Sequence, residues 1–457
     1  MVLLLTALLA FAKPTDESLR SRLEAKVRSS GVPASEFTLY VASAESEPAV
    51  VLDVNARKAL IPASVTKLIT ASAVLDAFPP GTRFKTTLWS DGKNLYLKGG
   101  GDPSFVSENM WFLVNHFTRA GIKRIEGDIV VDDGLFDPVR FDGSREDARV
   151  DRAYDAPVGA MSFNWNSVNV YVRPGKAGEP ASVFLDPQND YTKLVNRTKT
   201  SKGSGQNISV ERKKGGDESG DTLVVSGTIG ADRDEHVVYK NITKPDLWAG
   251  ENLKAFLAQR GITVAGRIRA GAVPPAARQV AESESKAVEL ILADMNKFSN
   301  NYVAEMLTKN LASSKEKPAR LSTGVEMINQ HLRKLELPEK EYVILNPSGL
   351  TRDNRMSAFA LWKVLHHLRN DFRVQPELLT SLPIAGVDGT LKKRMKGSKA
   401  ERWVRAKTGL LTGVTALAGY AGREDGRVYT FVFIHNGSRD ESKVRRLFDD
   451  WLVSLLD

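Results

Sequence analysis

Between Phe84 and about Ala276 the chain changes texture, and that change restricts its fold more than any other feature. Short β-rich runs (Leu95-Tyr96-Leu97, Ile129-Val130-Val131, Val168 to Val172, Leu223 to Ser226) are separated there by Gly, Asp and Pro turns. Only Trp111 to Ala120 and Asp246 to Arg260 read as helices in this stretch. On either side the pattern differs. Residues 16–30 are polar and helix-compatible, Phe37 to Ala42 and Ala49 to Val54 read as strands, and Ser64 opens a helical run that Pro79-Pro80-Gly81 stops. After Pro274-Pro275 helices return, over Ser285 to Met295, Tyr302 to Leu311, and roughly 320–335 and 357–370. Val414 to Gly422 and Arg427 to Ile434 read as a hairpin across Asp425-Gly426, and Glu441 to Leu456 as an amphipathic helix. The two ends thus belong to one α/β (α+β) domain, a sheet with helices on both faces, built from 13–83 and 277–457. Residues 84–276 read as an insertion of two subdomains, about 84–160 and 161–276.

The chain has 457 residues and no cysteine, which excludes disulfides, a thiolate nucleophile and Cys-based metal sites. Residues 2–12 are a short apolar run ending in Ala10-Phe11-Ala12, a small-x-small pattern. Residues 1–12 therefore read as a signal peptide and the chain as exported, although no positive charge precedes the run. It is too short to span a bilayer, and no later segment reads as a transmembrane anchor. The net charge of +9 suggests an anionic partner. Its densest basic region, from Arg197 to Lys214, is interleaved with Gly and Ser and reads as a solvated, mobile loop. With no zinc-finger, helix-turn-helix or RNA-binding pattern, nucleic acid is not an expected partner. Six scattered histidines without HExxH give no expected metal, and Gly99-Gly100-Gly101-Asp102-Pro103 lacks phosphate-loop spacing, so no cofactor is expected.

One tripeptide occurs once: Lys407-Thr408-Gly409, on a strand that enters the hairpin. Upstream lie Ser64-Val65-Thr66-Lys67 and Ser299-Asn300-Asn301. SxxK, SxN and KTG in this order are the parts of a serine acyl-transfer site that uses lysine as base. Ser64 and Lys67 share one helix face. A serine hydroxyl needs a base, and Lys67 serves if desolvation and a second positive charge keep its amine neutral. Lys407 supplies that charge and, with Thr408, binds a terminal carboxylate. Ser299 relays a proton to the leaving amine, and Asn301 bonds the substrate amide. Gly409 leaves room for substrate along the strand edge, and the backbone N–H groups of Ser64 and Leu410 form the expected oxyanion hole. Neither shorter pattern is specific alone. SxxK recurs at Ser90, Ser283 and Ser314, and SxN at Ser107, Ser162 and Ser167. Ser283 is the strongest competitor for the nucleophile, but Glu282 and Glu284 flank it, so an exposed N-cap is the better reading.

With these motifs in place the chain resembles the class C low-molecular-mass penicillin-binding proteins, the D-alanyl-D-alanine carboxypeptidases/endopeptidases of the penicillin-binding protein 4 type. The resemblance extends to Ile125 to Ile129, Ala156 to Ser162, Pro347 to Arg355 and Leu382 to Thr390, in family order. It implies a serine β-lactamase/transpeptidase-like domain carrying inserted domains. It also implies cleavage of D-Ala–D-Ala or D-Ala–diaminopimelate bonds in peptidoglycan, a periplasmic location, and β-lactam antibiotics as covalent inhibitors. Tyr154, with Asp151 or Asp155, is placed by the resemblance in a pocket for the free end of diaminopimelate. Asn346-Pro347 departs from the family's usual Asp-Gly. Two other readings stand beside this one: a β-lactamase-like hydrolase, for which no dedicated deacylating glutamate motif is visible, and a catalytically silent wall-binding protein, which would not need Lys67 beside Ser64.

Overall fold

The protein is described from a computed structural model that covers residues 16–144, 150–216 and 219–457. The leader read over residues 1–12 lies outside the described residues. The two ends of the chain build one antiparallel sheet. Its strand order is Val404–Leu411, Val414–Gly422, Val428–Asn436, Phe37–Ser43, Val50–Val54. The N-terminal strand pairs with the last one in register, Leu39 opposite Phe433. Both strands are near-continuous apolar runs because both sheet faces are covered. Leu39, Val41, Phe431 and Phe433 pack against the helices Asp16–Ser29 and Glu441–Leu456. Tyr40, Ala42, Val432 and Ile434 face the other way, toward Thr66–Ala77, Asn301–Ser313 and Ala358–Asn370. Helices on both faces are the architecture expected above.

The helix Thr66–Ala77 runs through this second layer. Every residue from Thr66 to Leu75 is buried, which explains why its sequence shows no polar face. From its end the chain passes into Lys85–Ser90, which pairs antiparallel with Arg278–Glu284. A second five-stranded sheet forms around that pair, in the order Ile268–Ala270, Ile129–Asp132, Leu95–Lys98, Lys85–Ser90, Arg278–Glu284. One hydrophobic cluster draws on residues from Leu88 to Ala281, separate from the two clusters flanking the first sheet. The helices here, Ser107–Thr118 and Pro245–Gln259, are those expected from the pattern.

Two expectations are corrected. The basic stretch from Arg197 to Lys214 is not a mobile loop. It supplies parts of two strands, Lys193–Ser201 and Gln206–Lys213, on either side of Thr222–Gly230. Ser283 is not an N-cap but a buried residue inside Arg278–Glu284, and the following helix begins later, at Val288. Gln375–Ser381 forms a further short helix, which the sequence pattern does not announce. Among the described residues no helix is long and apolar enough to cross a membrane.

Phe37, Phe433, Phe448 and Trp451 are each no more than 2% exposed and form one set of ring contacts between the sheet and the last helix. Trp451→Ala is expected to destabilise the fold by about 3–5 kcal/mol, read as a lower denaturant midpoint at unchanged slope.

Candidate active site

Ser64 does not begin the α-helix itself. It sits in a 3-10 turn, Ala63–Val65, at the head of Thr66–Ala77, and Lys67 follows in the first α-helical turn. Ser64 is half-buried and Lys67 has no exposed surface. Lys67 Nζ lies 3.1 Å from Ser64 Oγ, 2.7 Å from Asn301 Oδ1 and 2.6 Å from the carbonyl oxygen of Ser348. The last two partners only accept. A neutral Lys67 amine has two N–H groups for them, which leaves its lone pair for the Ser64 hydroxyl. The geometry thus suits proton removal from Ser64.

Asn301 reaches Lys67 because it opens the helix Asn301–Ser313, capped by the Asn300 side chain on Val303 N–H. The expected role of Asn301 was a hydrogen bond to substrate. Its oxygen holds the lysine, while its Nδ2 donates to the Tyr154 carbonyl at 3.3 Å and has a second N–H to donate. Ser299 sits in the preceding turn with φ of +56°, and Ala63, beside Ser64, has φ of +49°. Such left-handed backbone at non-glycine residues stores strain, and here it flanks both hydroxyls of the site.

Lys407 donates to Ser299 Oγ at 2.8 Å and to the Thr408 carbonyl at 2.7 Å. It is fully buried, and burial alone pulls its ammonium down to about 7. Its strand is an edge of the sheet. The first part of that edge is covered by residues 383–385: Ala385 N–H donates to the Val404 carbonyl and Ala406 N–H to Pro383. Beyond Lys407 the strand crosses the Ser64 turn. A Cβ on Gly409 would stand 2.8 Å from the Pro62 carbonyl and 3.2 Å from Ser64 N, so only glycine permits this approach. That approach brings the amides of Ser64 and Leu410 to one region.

Several contributors went unrecognised in the sequence. Ser348 acts through its carbonyl, which no side-chain type announces. Its turn is fixed by Asn346 Oδ1, which accepts from Ser348 N–H at 2.9 Å and Ser348 Oγ at 2.6 Å, and by Thr70 Oγ1 donating to the Pro347 carbonyl. Asn346, the departure noted above, also donates through Nδ2 to Asp142. Thr390 bonds Thr408 Oγ1 at 2.9 Å, and Asp388 pairs with Lys297 at 2.6 Å, tying this segment to both the KTG strand and the SxN turn. Of the pocket residues suggested by resemblance, Tyr154 is 55% exposed beside Asn301. Asp155 is 2% exposed and accepts from Val150 N–H, so it braces its own loop and does not line an open pocket. Asp151 is held by Lys240 at 2.6 Å. The other serines of the SxxK pattern lie elsewhere: Ser90 ends a strand, Ser283 is inside one, and Ser314 ends a helix.

The model of the D-Ala-D-Ala carboxypeptidase 3 (S13) family matches residues 19–455. The chain belongs to that family. It is thus a member of a family of serine-type D-Ala-D-Ala carboxypeptidases, which are hydrolases. It is 31% identical over 403 residues to a D-alanyl-D-alanine carboxypeptidase of Actinomadura sp. (strain R39), covering 83% of this chain and 73% of the relative. It is 26% identical to the D-alanyl-D-alanine carboxypeptidase DacB of Haemophilus influenzae, over 89% of this chain and 87% of the relative. The crystal structure of penicillin binding protein 4 (dacB) from Haemophilus influenzae superposes with a TM-score of 0.78 at 22% identity, covering 94% of this chain and 98% of the other. That match shows a shared fold across both the first sheet and the region between its two halves.

Two outcomes are expected from this geometry. A Cβ at Gly349 (φ +74°) would lie 2.0 Å from the Ala63 carbonyl, a backbone clash. Gly349→Ala should therefore destabilise by at least about 2 kcal/mol and slow acylation, measured by denaturant melts and labelling with a fluorescent penicillin. The second concerns charge. Above its pKa of about 7 Lys407 is neutral and no longer attracts a carboxylate. The acylation rate of a penicillin divided by that of its methyl ester should fall as pH rises through that range, which isolates Lys407 from the ionisation of the base.

Proposed function

We propose that the protein is an exported, periplasmic peptidoglycan DD-peptidase that cleaves D-Ala–D-Ala or D-Ala–diaminopimelate bonds through a Ser64 acyl-enzyme. The observation that carries this reading is the Lys67 amine, with two acceptors on its N–H groups and Ser64 Oγ as its third neighbour. In the first half-reaction Lys67 takes the Ser64 proton while Oγ bonds the D-Ala carbonyl carbon. The oxyanion develops between the amides of Ser64 and Leu410. The C–N bond breaks, and Ser299, held by Lys407, relays to the departing amine the proton that Lys67 took from Ser64, which returns Lys67 to its neutral form. Water then adds to the ester by the same route in reverse. Lys407, Thr408 and Thr390 suit the terminal carboxylate of the leaving residue.

The family membership supports the substrate class, and the free edge beyond Lys407 supports binding of an extended peptide stem by strand addition. In this reading 84–276 is a unit inserted after the nucleophile helix, which fits the pairing of Lys85–Ser90 with Arg278–Glu284 at its two ends. Exposed Tyr154, beside Asn301, is the residue of that region best placed to touch a stem peptide. β-Lactams, which carry a strained amide and a carboxylate, fit the same groups.

The test uses defined muropeptides resolved by chromatography. Wild type should release D-Ala from a pentapeptide or split a cross-linked dimer. Ser64→Ala should lose at least ~10³-fold in turnover with its melting temperature retained. Equal turnover by Ser64→Ala, or loss on Ser283→Ala instead, would sink the assignment.

A further inference from the structure

The lip of the cleft beside Ser299 is apolar. Phe298 is 69% exposed, and Val387, on the facing segment, is 44% exposed. A single exposed phenyl needs no explanation. The backbone around this one is fixed by contacts of its neighbours. The helix Val288–Lys297 ends at Phe298, and Ser299 adopts its left-handed φ of +56° where glycine is the usual choice. That turn sends Ser299 toward Lys407, and Phe298 is left open to solvent. The Val387 segment is fixed against the same turn. Lys297 Nζ bonds Asp388 Oδ2 at 2.6 Å and the Leu382 carbonyl at 3.0 Å. Gly389 packs so closely that a Cβ there would lie 2.6 Å from the Lys297 carbonyl. One residue later, Thr390 reaches Thr408 of the KTG strand at 2.9 Å.

The two apolar side chains therefore border the groups that receive the departing half of the substrate: Ser299, Lys407, Thr408 and Thr390. A lone D-Ala leaving group, with one methyl, has little surface to offer such a lip. The departing residue of a cross-link carries a hydrocarbon side chain and a further peptide. We propose that Phe298, with Val387, is a shelf for the leaving half of the substrate and selects cross-linked over single-stem peptides. The inference rests on the acyl-enzyme reading above. The bond chemistry is the same for both substrates: Ser64 Oγ bonds the D-Ala carbonyl carbon, the C–N bond breaks, and the leaving amine takes the proton. Only the group attached to that amine differs.

The experiment measures kcat/KM on a cross-linked muropeptide dimer and on a pentapeptide ending in D-Ala–D-Ala, for wild type, Phe298→Ala, Phe298→Leu and Phe112→Ala. Phe112 is 64% exposed on Ser107–Thr118 and serves as a remote aromatic control. Phe298→Ala should lose about 10-fold or more on the dimer, chiefly through KM, against less than about 3-fold on the pentapeptide. Phe298→Leu should restore most of the loss, and Phe112→Ala should change neither. Equal losses on both substrates, or none, overturn the shelf. Penicillin labelling of every variant separates the two failures. Label on wild type with unchanged discrimination in Phe298→Ala removes the shelf alone, and no label on folded wild type removes the nucleophile assignment and the shelf with it.

Discussion

Two lysines without exposed surface, Lys67 and Lys407, set the terms for everything around them. Removing an ammonium group from water is expensive, and the molecule meets that expense with fixed acceptors. Lys67 has an amide oxygen, a backbone carbonyl and the nucleophile; Lys407 has a serine hydroxyl and its neighbour's carbonyl. Each acceptor must be held by a different part of the fold. The Asn300 cap opens the helix bearing Asn301, the Asn346 turn presents Ser348, and the left-handed Ser299 lets the SxN turn face the KTG strand. Burial, with no other cause, pulls the Lys407 ammonium down to about 7.

The same constraint explains the close approach of secondary structure at the site. The Ser64 turn is pressed between the KTG strand and the Pro347-Ser348-Gly349 turn, and both contacts require glycine: Gly409 against Pro62 and Ser64, Gly349 against Ala63. Such contacts fix the Ser64 turn against the KTG strand. They are built from the two distant parts of the chain that share the first sheet, whereas the strands between them form their own sheets and hydrophobic cluster.

Much of this was legible in the residues. Strands with both faces buried read as apolar runs, and Val65, Leu68, Ile69, Ala73 and Val74 at helical spacing set Ser64 apart from Ser90 and Ser314, which sit in polar, turn-like sequence. What was not legible follows from physics. Glu282-Ser283-Glu284 looked like an exposed helix start, but its two acids alternate outward on a strand and meet Lys85 at 3.2 and 3.5 Å, a pairing set by residues almost two hundred positions away. The basic stretch after Arg197 carries little apolar signal because its strands are largely exposed, so only their pairing with Thr222–Gly230 defines them. Ser348 contributes a backbone atom, which leaves no trace in composition. Asp155 was placed by family position alone, and neighbouring sequence says nothing about which way its carboxylate turns.

The central claim is that Ser64 is the atom acylated, with its proton taken by Lys67. The most direct measurement is intact-mass spectrometry with peptide mapping after brief exposure to benzylpenicillin, on wild type and Lys67→Met. One penicilloyl adduct on the Ser64 peptide of wild type, and its near-absence in folded Lys67→Met, is the predicted result. An adduct on any other serine, or unchanged acylation of Ser64 without Lys67, would contradict it.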